Sequence, residues 1–157
     1  MLKLIKLSVL VFLSISTLHS AGWPQFRGPG AMGVSANADL PDEWSATKNV
    51  EWTRDLPGRG WSAPVVWGKR VFVTTVTTDG KQWVAKQGLY FGGNRYQPPT
   101  GTHNWKVLCL DLETGKVLWE RTPLTGKPRG SIHIKNSYAS ETPITDGERV
   151  YTYFGNH

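Results

Sequence analysis

Short apolar runs alternate with polar turn residues along most of the chain. Runs rich in Val, Phe, Thr, Leu and Trp that are bounded by Gly, Pro or Asp are typical of β strands. Eight Trp, five Tyr and five Phe residues together with 17 Gly and 10 Pro also favour a turn-rich β protein over a helical bundle. The pattern predicts four strands, at Ala63–Trp67, Arg70–Thr78, Trp105–Asp111 and Lys116–Thr122.

Two tight turns are predicted between these strands. Gly68-Lys69 separates the first two, and Leu112–Gly115 separates the last two. Gly115 can supply a positive φ without a steric penalty, and Asp111 can accept backbone N–H groups inside the turn. Both pairs of strands are therefore expected to be antiparallel hairpins.

Two segments of the chain recur. Thr47–Arg54 matches Thr114–Arg121 in its Thr, Val, Trp and Arg residues, at an offset of 67 residues. Pro64–Phe72 matches Pro143–Tyr151 at an offset of 79 residues, so each proline is expected at the start of a strand, where a missing donor is tolerated. Repeats of short strands are typical of β-propellers. The repeated large rings are expected to pack between neighbouring sheets; they are Trp52 and Trp119.

The second hairpin carries the run Cys109-Leu-Asp-Leu-Glu-Thr-Gly-Lys-Val-Leu-Trp119. This run resembles the tryptophan-docking motif of PQQ-like (quinoprotein alcohol dehydrogenase-like) repeats, whose pattern is Ala-x-Asp-x-x-Thr-Gly-Lys-x-x-Trp. The only departure is at the first position, where this sequence has Cys109 and the pattern has Ala, and both are small residues. With the repeats, the resemblance extends over residues 23–157. Its motif residues here are Asp111, Thr114, Gly115 and Trp119, with Trp52 as the equivalent tryptophan of the preceding unit.

The resemblance implies an all-β propeller of four-stranded antiparallel blades, of which about one and a half are present. A ring-closing strand is expected at about 49–55, a complete blade at 63–122 and the start of the next blade at 141–157. Because a propeller needs about four to eight blades, we expect this chain to be the N-terminal fragment of a longer protein. The alternative is a short chain that assembles edge to edge.

Residues 1–22 have the features of a secretory signal peptide. Lys3 and Lys6 precede an apolar run, Leu7–Leu18, that is short of the ~20 residues needed to span a bilayer. Cleavage is expected before Trp23, which leaves a periplasmic or secreted chain with no transmembrane span. The alternative is that the segment stays uncleaved as an N-terminal anchor. Lipidation at the cleavage site is excluded because no cysteine lies near it. The lone Cys109 excludes an internal disulfide or a cysteine-cluster zinc site, and we expect it to be buried.

Composition narrows the classes of function. Charged residues make up 19% and hydrophobic residues 39%, so the chain is not a disordered polyelectrolyte. The formal net charge is +6, and the two leader lysines contribute part of it. The remaining excess is too small to indicate nucleic-acid binding. The mature chain's histidines are isolated, so no metal site is predicted; they are His103, His133 and His157.

The long connections are all expected at one end of the sheet, because successive connections in a meander alternate between ends. They are 56–62, 79–104 and 123–140, and long loops are often functional. The second mixes aromatic rings with basic residues, which suits stacking, although its rings could instead pack the loop onto the blade. The third has no acidic residue and suits an anionic ligand, although it could instead be a solvated basic loop. The candidate binding face comprises Arg59, Trp83, Tyr90, Phe91, Arg95, Tyr96, Arg129 and His133.

Three functions are compatible with these features. The leading hypothesis is an exported, non-catalytic propeller scaffold that binds envelope proteins or polysaccharide. The alternative is a PQQ- and calcium-dependent alcohol or sugar dehydrogenase whose catalytic and cofactor-binding residues lie mostly in further blades. The family's alcohol dehydrogenases commonly carry an adjacent Cys-Cys pair, which this sequence lacks. A third possibility is a carbohydrate-processing or carbohydrate-binding protein that uses the aromatic loop.

Overall fold

The computed structural model describes residues 22–35, 39–81, 100–133 and 135–155. These residues form an all-β structure with no α-helix and one short 3-10 turn at Pro29–Ala31. Four antiparallel strands make a meander in the order β1-β2-β3-β4, and two further strands form an antiparallel pair. The strands are β1 (Val65–Trp67), β2 (Arg70–Thr78), β3 (His103–Asp111), β4 (Val117–Gly126), β5 (Ile144–Thr145) and β6 (Val150–Tyr151).

The central strands β2 and β3 are buried on both faces of the sheet. Val71, Leu108 and Leu110 form one buried cluster, against which Leu56 packs. On the other face lie two further clusters, one around Val65, Phe72 and Cys109 and one that contains Val76, Trp105, Val107, Tyr138, Ala139 and Phe154. Residues that follow the sheet in sequence therefore cover its second face, and the expected burial of Cys109 is confirmed.

Trp119 and Val150 pack against the same two clusters on the second face. The Trp119 ring centroid lies 6.0 Å from that of Phe72, and the Arg121 guanidinium lies 5.8 Å from the Trp119 ring centroid. Since Val150 belongs to β6, the first sheet and the β5–β6 pair share this part of the core.

The predicted strands agree with the structure, with differences at their ends. The predicted bounds of β2 are confirmed, whereas β1 begins two residues later than expected, because the Ala63 amide donates to Thr142 Oγ1 instead of continuing the ladder (3.1 Å). Strand β4 continues past Pro123 to Gly126, and the pairing with β3 shifts register between Trp105 and Val107. A proline on an edge strand is compatible with this because the missing donor faces away from the ladder.

A short N-terminal segment joins the two sheets. Trp23 exchanges two backbone hydrogen bonds with Val66 (2.8 and 2.9 Å), and Thr145 N donates to Pro24 O (2.9 Å). Residues 49–55 are not paired as a strand with any described residue. Their role as a ring-closing strand therefore stays a prediction.

Candidate functional site

The two ends of the four-stranded sheet differ in their connections. At one end, Trp67 pairs with Arg70 and Arg70 with Asp111, next to the two tight turns. At the other end, Thr78 pairs with His103 and His103 with Gly126. The chain leaves this second end through residues 79–102 and 127–143, so the predicted placement of these long connections is confirmed. We call the end of the sheet at Thr78, His103 and Gly126 the long-loop end, and the opposite end, at Trp67, Arg70 and Asp111, the tight-turn end.

The tight-turn end is organised by the Asp111 carboxylate. Asp111 Oδ1 accepts from the Thr114 amide (2.8 Å) and from the Thr114 hydroxyl (2.7 Å). These hydrogen bonds, the hydroxyl's above all, hold the pKa of Asp111 below its ordinary value. Gly115 has the expected positive φ of 67° and its amide donates to Asp111 O (2.9 Å). The motif residues Asp111, Thr114 and Gly115 thus stabilise a turn.

Trp52 docks on that turn. Its Nε1 donates to Leu112 O (2.8 Å), and a Cβ placed on Gly115 would lie 2.5 Å from Trp52 Cε3. The ring therefore lies directly on the glycine face. Trp67 lies on Gly147 in the turn between β5 and β6 in the same manner. The prediction that Trp52 packs against a neighbouring unit is consistent with this contact.

The connection 79–102 begins and ends at a narrow neck. Asp79 Oδ1 accepts from Thr102 N (2.7 Å), and Asp79 N donates to Thr102 O (3.3 Å). A Cβ on Gly80 would lie 2.8 Å from the Gly101 Cα, so the two chain segments cross in direct backbone contact. The predicted binding residues of this connection lie outside the described residues; they are Trp83, Tyr90, Phe91, Arg95 and Tyr96.

His103 belongs to a buried aromatic cluster that sequence reasoning missed. Its ring lies edge-on to Tyr138 (centroids 5.2 Å apart) and 5.7 Å from Trp105. His103 Nδ1 lies 3.0 Å from Gly101 O and 3.3 Å from Thr78 Oγ1. The Trp105 Nε1 donates to Tyr138 O (2.9 Å). This cluster fixes the floor of the long-loop end. The available signal was the spacing of His103 and Trp105, because residues two apart on a strand lie on the same face of the sheet.

The basic segment 127–135 is anchored but its charges are exposed. Tyr138 Oη donates to Gly130 O (2.8 Å), and burial raises the pKa of the Tyr138 hydroxyl. Arg129 and His133 are both exposed, as a binding role requires. His133 Nδ1 accepts from the Lys135 amide (3.1 Å), which leaves Nε2 directed away from that bond. Two predicted site residues therefore share one segment of the long-loop end.

The next segment contains a dense polar network. The hydroxyls of Ser137 and Ser140 lie 3.1 Å apart, and Ser140 Oγ also donates to Asn136 Oδ1. The Glu141 carboxylate accepts from the amides of Ser140 (3.3 Å) and Gly155 (3.2 Å). The network ties residues 136–141 to the chain after β6.

Arg59 lies on a different wall of the long-loop end. Its backbone exchanges two hydrogen bonds with Val76 (both 2.9 Å), two residues before β2 ends at Thr78. It lines a cleft of about 470 Å³ together with Leu56, Gly58, Gly60, Trp61, Ser62 and residues 73–75. The sequence prediction included Arg59 and missed Trp61, whose place after Gly-Arg-Gly was the available signal.

No calcium or other metal site is assigned to these residues. Within the described ranges, no group of three or more His, Cys, Asp and Glu side chains is placed to hold a metal ion. The same ranges contain no helix with the length and apolarity that crossing a membrane requires. Comparison with protein-family models, with curated proteins and with solved structures found no match to this chain.

Proposed function

We propose that this chain supplies blades of an exported β-propeller with PQQ-like repeats, which acts as a non-catalytic binding scaffold. The observation that carries the functional part is the difference between the two ends of the sheet. One end has two tight turns, and the other has long connections anchored on a buried aromatic floor. Long connections held by a rigid sheet are where binding residues concentrate.

Two contacts support the propeller architecture. Trp52 docks on the Gly115 turn, and Trp67 docks on the Gly147 turn of the following hairpin. The strand pair β5–β6 repeats β1–β2 in sequence, and Pro143 immediately precedes β5 as Pro64 precedes β1. Repetition of one hairpin next to another is what successive blades require.

The charge of the long-loop end favours an acidic partner. No Asp or Glu lies between Arg121 and Glu141, whereas Lys127, Arg129 and Lys135 are exposed in that interval. Clustered exposed cations steer anionic partners by attraction over about one Debye length. An acidic envelope protein or an anionic polysaccharide would both present the necessary charge.

Capture from envelope extracts tests the scaffold function. The purified chain is immobilised, and bound material is compared with that held by an Arg129→Ala, His133→Ala double variant. Lys69→Ala serves as the matched control, because Lys69 is an exposed cation at the tight-turn end, paired with Glu113 (2.8 Å). We expect loss of partners in the double variant only. Equal capture by all three proteins would contradict the proposal.

The enzymatic alternative is tested on the same preparation. Dye-linked oxidation of alcohols or sugars after addition of PQQ and calcium would replace the scaffold function with a dehydrogenase. N-terminal sequencing of the protein recovered from the envelope tests export, and we expect the first residue to be Trp23. An intact Met1 would contradict processing at this site.

A further inference from the structure

The segment before β1 runs beside β2, and the two line the cleft described above. Arg59 pairs with Val76, and Val65 pairs with Phe72. Five residues, 60–64, therefore stand opposite only three, 73–75. Such a bulge re-aims side chains and is over-represented beside functional sites.

This bulge, residues 60–64, is held in place by contacts on both of its sides. The Trp61 amide donates to Ala139 O (2.9 Å), and the Ala63 amide donates to Thr142 Oγ1 (3.1 Å). On the opposite side, Thr74 Oγ1 donates to Ser62 Oγ (2.8 Å). A bulge fixed at three points keeps its shape before any ligand arrives, which lowers the entropic cost of binding.

The fixed bulge leaves a large apolar ring in solvent. Trp61 is 57% exposed although its backbone is anchored, and it lines the cleft of about 470 Å³. That volume lies in the range of small-molecule sites, roughly 300–1,000 Å³. Arg59 lines the same cleft, and the residues that line it include no Asp or Glu. The cleft thus combines an exposed indole with a cationic residue type.

We propose that this cleft binds uronic-acid units of an acidic polysaccharide. A pyranose ring offers a flat apolar face that stacks on an indole, and the planar guanidinium of Arg59 matches the carboxylate of a uronic acid with two parallel hydrogen bonds. Arg129 and the other exposed cations of the long-loop end attract the same polyanion. The inference rests on the proposed scaffold function and specifies its ligand class.

Calorimetric titration of the purified chain with trigalacturonic acid tests this proposal. We expect saturable binding, with affinity reduced about tenfold or more in Trp61→Ala and in Arg59→Gln, and retained in Trp61→Phe because a ring remains for stacking. Maltotriose is the neutral control and should bind at least about tenfold more weakly. Trp44→Ala is the matched protein control, since Trp44 is 69% exposed and lies outside the cleft.

Three results would overturn the proposal. They are no binding of trigalacturonic acid by a folded chain, an affinity that neither Trp61→Ala nor Arg59→Gln changes, and equal affinity for maltotriose. Binding of benzoate with the same variant dependence, but not of the oligosaccharide, would assign the cleft to small aromatic acids instead. Near-ultraviolet circular dichroism confirms that each variant is folded. If the cleft fails while Arg129 and His133 still govern capture from extracts, the scaffold function stands and only its assigned ligand is wrong.

Discussion

Adding a single methyl group at Gly115 tests the docking of Trp52 on the neighbouring turn. Gly115 has a φ of 67°, which costs an L-residue about 1 kcal/mol. In addition, the new Cβ would stand 2.5 Å from the indole of Trp52, so the ring must leave. The half-buried ring covers roughly 100 Å² of apolar surface, which at ~25 cal/mol per Å² is about 2.5 kcal/mol. Its hydrogen bond to Leu112 O contributes about 1 kcal/mol more.

We therefore expect Gly115→Ala to lower the free energy of unfolding by about 4.5 kcal/mol, measured by urea denaturation. The matched control is Gly68→Ala in the other tight turn. Gly68 has a similar φ of 57°, but a Cβ there would have no atom within 4 Å. Only the backbone cost of about 1 kcal/mol should appear at that position.

A double-mutant cycle separates the two contributions at Gly115. In a Trp52→Ala background, Gly115→Ala should cost only about 1 kcal/mol, because no ring remains to be displaced. The coupling energy should then be about 3.5 kcal/mol, well beyond the ~0.5 kcal/mol scatter of independent sites. Equal costs at Gly115 and Gly68, or additive effects in the cycle, would refute the docking of Trp52.

Three further predictions follow from the hydrogen bonds and burial of single groups. Folding lowers the pKa of Asp111 below 3.8, so the ionised carboxylate stabilises the fold fully above that pH, and this stabilisation is lost as the pH falls through the folded-state pKa. The Asp111→Asn variant should therefore lose less of its free energy of unfolding between pH 7 and pH 2 than the wild type. Urea titrations across this pH range measure the difference. Burial raises the pKa of the Cys109 thiol, so it should react with a disulfide reagent at pH 8 only after urea is added, and rapid reaction of the native chain would contradict its burial. Tyr138→Phe removes the hydrogen bond to Gly130 O and should cost about 1 kcal/mol in the same urea assay, whereas an unchanged midpoint would show that this bond does not hold the basic segment.

Local chemistry made the tight-turn end predictable from sequence. The positive φ of Gly115 and the acceptor role of Asp111 both arise within five residues of chain, so turn propensities specify them. The strand β2 was predicted to the residue because a run of Val, Phe and Thr lies between the Gly68-Lys69 turn and Asp79-Gly80. Hydrophobic periodicity and turn propensity are determined by residues close in sequence, and these elements depend little on contacts with distant residues.

The long-loop end depends on contacts between distant residues. His103 is buried by Tyr138, and Trp61 is anchored to Ala139, across separations that no local pattern reveals. The extension of β4 past Pro123 was missed for the same reason, since the register shift opposite it depends on the β3 partner. Loop length indicated where binding residues would concentrate, whereas the shape of the cleft required the bulge to be seen.

Photo-crosslinking in the envelope tests most directly whether the long-loop end is the binding end. A benzophenone side chain replaces exposed Arg129 in one variant and exposed Lys69, at the tight-turn end, in another. The scaffold account predicts partner adducts from position 129 and only background from position 69. Adducts of equal yield from both positions, or adducts from position 69 alone, would contradict it.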